Sequence, residues 1–487
     1  MTTSRIGFWI GLAGFALTLL LPAPGTMPAQ AWLVAGLTWW MAAWWMTEAV
    51  PLTATALLPF VVLPFAGIAT AAETAGTYYS DILFLILGGA FLALAIERTG
   101  LHRRLSLAIL RAVDRGGSND TRNGGTRLLL GFMLATAALS TFISNTSTAL
   151  IMMPMALAVL AGGGLADPQC KSGLSGALPI GIAFAASIGG LGTIVGSPTN
   201  AIAVGLLNET AGLQIGFAQW SAFGMPIVLL GVPLAAFIIM KVMKVADHPF
   251  DLAAARAAID THAAWTAPEK RLVPLVLVTF LAWLLQPLLA PLVPAGSLTD
   301  GTVAVIAGLA LFLLPDGTGR RMLVWQEADR APWGVIMMFG GGLALAGGMT
   351  KSGLATWLGQ ALLPLAGVPM VVVALAVVAL VVVVTEFASN VATASGIMPV
   401  VASLAAALGG DPLVLAMSAA MAASWGFMLP AGTGPNAIAW ATGRVPLAGM
   451  VRAGLLLDIA GVFLIVGVCW AVAILGPMLA AMLGISG

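Results

Sequence analysis

The sequence predicts an all-α polytopic membrane protein with about 11 transmembrane helices plus two re-entrant helical hairpins, arranged as two inverted-topology repeats. Three observations carry this prediction: the composition, the side on which the basic residues fall, and a polar motif that occurs once in each half. Of 487 residues, 60% are hydrophobic and only 8% charged, against about 25% charged in a soluble globular protein. So few charges cannot furnish a water-facing surface. Apolar runs of 16 to 20 residues recur along the chain, and each is long enough as a helix to cross a hydrocarbon core of roughly 30 Å.

The runs place spans at 6–22, 30–48, 50–66, 82–97, 174–208, 215–240, 273–293, 302–315, 333–349, 413–443 and 454–483, with hairpins at 128–162 and 371–409. The first run follows Arg5 and is read as a retained helix rather than a cleaved signal. With the N-terminus in the cytoplasm, 19 of the 20 Lys and Arg fall on the cytoplasmic side and only Lys351 outside. That bias is the positive-inside rule. It predicts a multi-pass protein of the plasma membrane, the inner membrane in a bacterium, with its C-terminus external. Residues 1–245 form a first repeat and 272–487 a second, joined by 246–271, whose Asp251, Arg256 and Asp260 suggest an amphipathic cytoplasmic linker helix. Trp39, Trp40, Trp44 and Trp45 are expected to be interfacial anchors.

The halves match at three places in the same order. Residues 88–101 and 341–354 share six identities in 14, 140–155 and 385–400 share seven in 16, and 196–205 and 432–441 share five in 10. Shared low complexity explains one such match but not three collinear ones. Five crossings separate the span at 82–97 from its equivalent at 333–349, and an odd number inverts the second copy. Inverted repeats with interrupted helices characterise secondary transporters, whose sites lie near the bilayer midplane.

The interruptions hold the chemistry. The first hairpin breaks at Ser140 and at Ser144-Asn145-Thr146, the second at Thr385 and at Ser389-Asn390-Val391. The companion spans break at Gly196-Ser197-Pro198-Thr199-Asn200 and at Gly432-Thr433-Gly434-Pro435-Asn436. Breaks inside a membrane free backbone groups that must find partners or line a cavity. Helix N-termini offer N–H groups and partial positive charge to a carboxylate; freed carbonyls with Ser, Thr and Asn oxygens suit Na⁺. No Lys or Arg occurs from 128 to 170, 172 to 208 or 352 to 443. An anion at the tips is therefore expected to lack a side-chain counter-charge, which makes Na⁺ its natural partner.

Other chemistries find little support. Cys170 and Cys469 match no metal or redox spacing. His102, His248 and His262 sit in charged loops, so no metal site other than for Na⁺ is expected, and no His/Asp/Glu cluster marks an enzyme. A net charge of +1 without a basic stripe implies no nucleic-acid partner, and no organic cofactor is expected. Glu48 and Glu386 lie at or within apolar segments, where a carboxylate is a functional candidate; a structural hydrogen-bonding role is expected for each.

With Trp45–Pro51 (WMTEAVP), Ser144-Asn145-Thr146, Ser389-Asn390-Val391 and the NAI-containing breaks at 196–205 and 432–441, most of the chain resembles the divalent anion/sodium symporters, which carry di- and tricarboxylates or sulfate. The resemblance implies a homodimer in which a transport domain moves as an elevator against a scaffold. It implies one Na⁺ site at Ser140, Ser144, Asn145 and Gly196, and another at Thr385, Ala388, Asn390 and Gly432. Substrate carboxylates would lie between Ser144-Asn145-Thr146 and Ser389-Asn390-Val391, flanked by Ser197, Pro198, Thr433 and Gly434. Many bacterial members have Thr where this chain has Val391, whereas animal di- and tricarboxylate carriers resemble it there. The expected activity is sodium-coupled symport of a C4-dicarboxylate (succinate, malate or fumarate), with citrate a further candidate. The alternatives are a sodium-independent dicarboxylate exchanger and a sulfate or inorganic oxyanion symporter.

Overall fold

The computed structural model describes residues 3–79, 81–101, 104, 121–165, 167, 171–247, 250, 264–362, 367–408 and 412–482. Most of the expected linker helix, Cys170 and all three histidines lie outside the described residues. The described elements are helical apart from one bridge between Pro315 and Arg321. In the first half they are α1 (Thr3–Leu20), α2 (Ala29–Thr47), α3 (Leu52–Thr55), α4 (Leu58–Phe65), α5 (Ala71–Gly76), α6 (Asp81–Thr99), α7 (Thr121–Ser140), α8 (Asn145–Gly162), α9 (Leu174–Gly190), α10 (Pro198–Ala211) and α11 (Phe217–Val242). In the second they are α12 (Ala267–Leu289), α13 (Asp300–Leu313), α14 (Trp325–Ala328), α15 (Trp333–Lys351), α16 (Leu354–Leu362), α17 (Met370–Phe387), α18 (Asn390–Leu408), α19 (Pro412–Ala422), α20 (Gly434–Ala441) and α21 (Leu447–Met482).

Among the described residues, nine helices have the length and apolar composition to cross a bilayer. Several expectations need correction. The expected span 50–66 is two short helices, α3 and α4, parted by a turn at Ala56-Leu57, with Pro59 starting the second. The hairpin arms α7, α8, α17 and α18 have 18 to 20 residues, or about 27–30 Å of helix. That is close to the thickness of a hydrocarbon core, so arm length does not make these hairpins re-entrant. Their polar tips distinguish them. The Trp cluster is also not a simple interfacial belt: Trp45 is 1% exposed and Trp44 8%. Trp44 Nε1 donates to Phe8 O at 3.2 Å and Trp39 Nε1 to Ile10 O at 3.2 Å, tying α2 to α1.

Packing of the two halves comes in matched sets. In the first, α7 and α8 form a hairpin packed on α9, and α11 covers α7 and α9; in the second, α17 and α18 pack on α19, and α21 covers α17 and α19. Contacts between the halves match too. α8 meets α20 as α18 meets α10, α9 meets α20 as α19 meets α10, and α11 meets α21. Every residue of α9 is buried. Helices have no hydrophobic drive to associate within lipid, so close approach must supply the attraction, and small residues permit it. Gly189 lies against the Ala137 backbone, where an added Cβ would overlap. Outside this block α6 packs on α13 and α15 on α3, α4 and α10.

Candidate functional site

Each hairpin breaks where a hydroxyl recaps the chain. α7 ends at Ser140, and Ser144 starts α8 by accepting Ser147 N–H at 3.3 Å. In the second hairpin Ala388 is extended, and Ser389 Oγ accepts Ala392 N–H at 3.2 Å. The companion breaks follow the same rule. Ser197 is extended and caps α10, with Pro198 as its first residue; Thr433 is extended and accepts Asn436 N–H at 3.2 Å to start α20. Proline is pre-set for a first helical turn, where its missing N–H costs nothing.

The four new N-termini converge. Ser144, Asn145, Thr146, Ser197, Pro198, Ser389, Asn390, Val391, Thr433 and Gly434, the whole expected substrate set, line one cavity of about 420 Å³ together with Gly432. Four helix starts facing one space concentrate unpaired N–H groups and partial positive charge there, an arrangement suited to a small anion.

Beside the cavity the first hairpin builds an oxygen-rich cradle. Ser140 Oγ donates to Ala186 O at 2.6 Å and lies 2.9 Å from the Asn145 amide. That same end of the amide is 3.2 Å from Ala186 O and 3.3 Å from Gly196 O. With its nitrogen inward Asn145 donates into this ring; with its oxygen inward it joins Ser140 Oγ, Ala186 O and Gly196 O in an oxygen set of the kind that suits Na⁺. The residues thus fit Na⁺. Ser140, Asn145 and Gly196 meet here, and Ser144 and Asn145 both line the cavity. The Ala186 carbonyl is an addition, invisible in sequence because any residue supplies one.

The second hairpin repeats the pattern. Thr385 Oγ1 donates to Ala423 O at 2.8 Å and lies 2.9 Å from Asn390 Oδ1. Ala388 and Gly432 flank this pair without a hydrogen bond to it: Ala388 N donates to Val384 O, and Gly432 N to Leu429 O. Asn200 Nδ2 holds Gly190 O and Thr193 O at 2.7 and 2.8 Å, and Asn436 Nδ2 holds Leu429 O at 3.0 Å. These amides brace both broken helices rather than entering the cavity. Buried oxygens without hydrogen-bond partners among the described residues also occur in repeat-related pairs, Thr148 with Thr393, Ser187 with Ser424 and Asn200 with Asn436. Unmet oxygen is costly in a protein interior, and its recurrence gives both halves the same donor-poor surroundings.

The halves differ at Glu386, whose counterpart is Thr141. Glu386 is 1% exposed and accepts Met428 N–H at 2.9 Å and Leu429 N–H at 3.0 Å. It thereby holds the break before α20, the structural role expected. Asp458 on α21 lies against it, 4% exposed; nothing in the local sequence had marked that residue. Glu48 departs from expectation. It is exposed at the end of α2, with φ +47°, and its carboxylate makes no hydrogen bond among the described residues.

Charge enters the cavity from elsewhere in the chain. The cavity is also lined by α6, from Leu85 to Glu97, and by Arg330-Ala331-Pro332. A side-chain cation is therefore present, delivered by a distant loop that spacing around the motifs could not reveal. A further cavity of about 720 Å³ is lined by Asp81, Asp300 and Glu209 and shares Leu85 and Ile194 with the first. Asp81 opens α6 and Glu97 lies in its last turn, so the two cavities lie at opposite ends of that helix, parted at Leu85 and Ile194.

Residues 3–477 match the family described as the sodium:sulfate symporter transmembrane region. The chain is 37% identical over 475 residues to the sodium-dependent dicarboxylate transporter SdcS of Staphylococcus saprophyticus, covering 95% of this chain and 90% of that one. It is likewise 37% identical over 479 residues to SdcS of Staphylococcus aureus strain USA300, covering 96% and 91%. Among solved structures, the Alcanivorax borkumensis YdaH transporter superposes with a TM-score of 0.58 at 17% identity, over 98% of this chain and 99% of that one. That last likeness is one of fold alone.

Proposed function

Because the chain belongs to the sodium:sulfate symporter family, a family of membrane transporters and not of enzymes, we propose that it couples sodium to the uptake of a C4-dicarboxylate such as succinate, malate or fumarate. The observation that carries this reading is the convergence of four helix N-termini on one cavity, with an oxygen cradle behind each hairpin tip. The N-termini hold the carboxylates. Na⁺ at Ser140, Asn145, Gly196 and the Ala186 carbonyl, and at Thr385, Asn390 and the Ala423 carbonyl, neutralises what fractional helix charge leaves over. Sodium-dependent dicarboxylate transport by the Staphylococcus relatives supports the substrate class.

The matched packing of α7–α11 and α17–α21 supports a single transport unit made from inverted halves, with α6, α13 and α15 in the scaffold it moves against. In this reading the protein is a homodimeric elevator. The sequence after α6 and that before α15 are rich in arginine, and the positive-inside rule favours the cytoplasmic side for Glu97 and Arg330. The substrate cavity then opens inward, and Leu85 with Ile194 closes it from the acidic outer cavity.

Proteoliposomes loaded with K⁺ salts should accumulate labelled succinate under an inward Na⁺ gradient. Equal uptake with K⁺ or choline outside would sink the coupling, and uptake only into succinate-loaded vesicles would identify an exchanger. Asn145→Ala and Asn390→Ala should each abolish sodium-driven uptake while the protein stays folded; near-normal rates in both would remove the site assignment.

A further inference from the structure

Among the described residues lining the substrate cavity, the charged ones are Glu97 and Arg330. Both are exposed, and among the described residues neither forms an ion pair, Arg330 Nε reaching only the Glu327 carbonyl at 3.5 Å, whereas their neighbours do pair. Arg98, next to Glu97, pairs with Asp316 at 3.1 Å. Glu327, one turn before Arg330, pairs with Arg320 at 2.7 Å. Arg330 also stands on an ordered turn: Ala331 N donates to Ala328 O at 2.9 Å, Trp333 N to Ala331 O at 2.8 Å, and Trp333 Nε1 to Asp329 O at 3.1 Å. A guanidinium with five donors and no competing carboxylate partner is suited to a planar carboxylate.

We propose that Arg330 receives the substrate carboxylate at the mouth of the cavity, and that Glu97 weakens this attraction so that the anion is not held there. The proposal rests on the dicarboxylate reading above. Arg330 approaches from the loop between α14 and α15, outside the hairpin block. It therefore acts on the anion entering or leaving through this face rather than on the anion seated at the N-termini. Two opposed charges at one mouth set how fast and how tightly an anion is met, and salt screens their effect.

The test is succinate uptake measured separately through each face, in inside-out and right-side-out vesicles holding the full-length protein. Arg330→Gln should raise the half-saturating succinate concentration about two- to five-fold at the Arg330 face, the range of a solvent-exposed charge contact. It should also flatten the dependence on ionic strength and leave the opposite face unchanged. Arg330→Lys should restore most of the affinity, and Glu97→Gln should shift it the other way. Wild-type affinity in Arg330→Gln, or an equal change at both faces, overturns the proposal. Absence of any response by the wild-type protein to succinate, malate, fumarate or sulfate, in uptake or in thermal stabilisation, overturns the dicarboxylate reading and this proposal together. Normal wild-type uptake with an unaffected Arg330→Gln overturns this proposal alone.

Discussion

Glu386 is where a single substitution most directly separates folding of the site from its function. Its carboxylate accepts Met428 N–H and Leu429 N–H at 2.9 and 3.0 Å, from the non-helical stretch between α19 and α20. Inside a membrane those amides have no water to turn to. Glu386→Ala leaves both unmet, at about 1–3 kcal/mol each, or about 2–6 kcal/mol together. Against a typical total stability of about 5–15 kcal/mol, that is a large fraction. Glu386→Gln keeps one accepting oxygen and so should cost about half as much. Its new –NH2 also faces Asp458, and a bond there offsets part of the loss.

The expected order of melting temperature in detergent is therefore wild type, then Gln, then Ala. The same order is expected for sodium-stimulated uptake, because the held stretch carries the Ala423 carbonyl bonded by Thr385 and leads into Gly432 and Thr433. Asp458→Asn should melt close to the wild type, because its amide can donate to Glu386 in place of the proton that two facing buried carboxyls share. A Glu386→Ala protein that melts with the wild type would refute the reasoning, because the two amides would then have other partners. Loss of transport without loss of stability would show that the carboxylate acts on the ion rather than on the backbone.

Two further perturbations probe other joints. A Cβ at Gly434 would press on Thr146 Oγ1 of the opposite hairpin; Thr146 is exposed and can rotate away, so Gly434→Ala should weaken succinate affinity severalfold with little change in melting. Adding Thr146→Ala should restore affinity, and failure to do so would mean the two tips do not meet. At the loop after α13, Asp316 is buried, which by itself raises its carboxyl, but hydrogen bonds from Thr318 and the Arg98 guanidinium outweigh burial and bring it from 3.8 to about 2. A folded value below the unfolded one adds stability above about pH 4 that is lost as pH falls through about 2. Asp316→Asn should cost about 1–2 kcal/mol at neutral pH, allowing for screening at the partly exposed Arg98. Its deficit should vanish between about pH 4 and pH 2, and a deficit constant over that range would exclude the ion pair as its source.

The architecture was legible because a membrane allows few ways to satisfy a backbone. The Ser-Asn tips and the Gly-Pro breaks mark where helices are interrupted, and the structure ends one at Ser140 and starts others at Ser144, Ser197, Ser389 and Thr433. Arm length was misjudged because α7 begins at Thr121, within a basic stretch that hydropathy alone assigns to a loop. Trp44 and Trp45 were read as interfacial because an indole at a helix end is usually amphipathic; their burial depends on α1 lying across α2, which no local pattern announces. The carbonyls of Ala186 and Ala423 carry no side-chain signature. Arg330 and Asp458 carry no such mark either, since a loop brings the first and a helix the second, both outside the duplicated motifs.

Duplication followed by divergence accounts for the remaining asymmetry. Ser140 and Thr385, Asn145 and Asn390, and the carbonyls of Ala186 and Ala423 retain the same geometry in both halves, so the part of each hairpin proposed to hold Na⁺ is alike. The differences lie one step outward. Thr146 offers a hydroxyl to the cavity where Val391 offers methyl groups, and the first hairpin has Thr141 where the second has Glu386 beside Asp458. A buried carboxyl pair behind only one cradle would make the two proposed cation sites electrostatically unequal at short range, where low dielectric leaves charge poorly screened. Two ions bound at such sites need not share one affinity. Sodium activation of uptake should accordingly depart from a pair of identical sites, and replacing both Glu386 and Asp458 by their amides should bring the two apparent sodium affinities together. Two affinities that stay apart in that double variant would place the asymmetry at Val391 and the cavity instead.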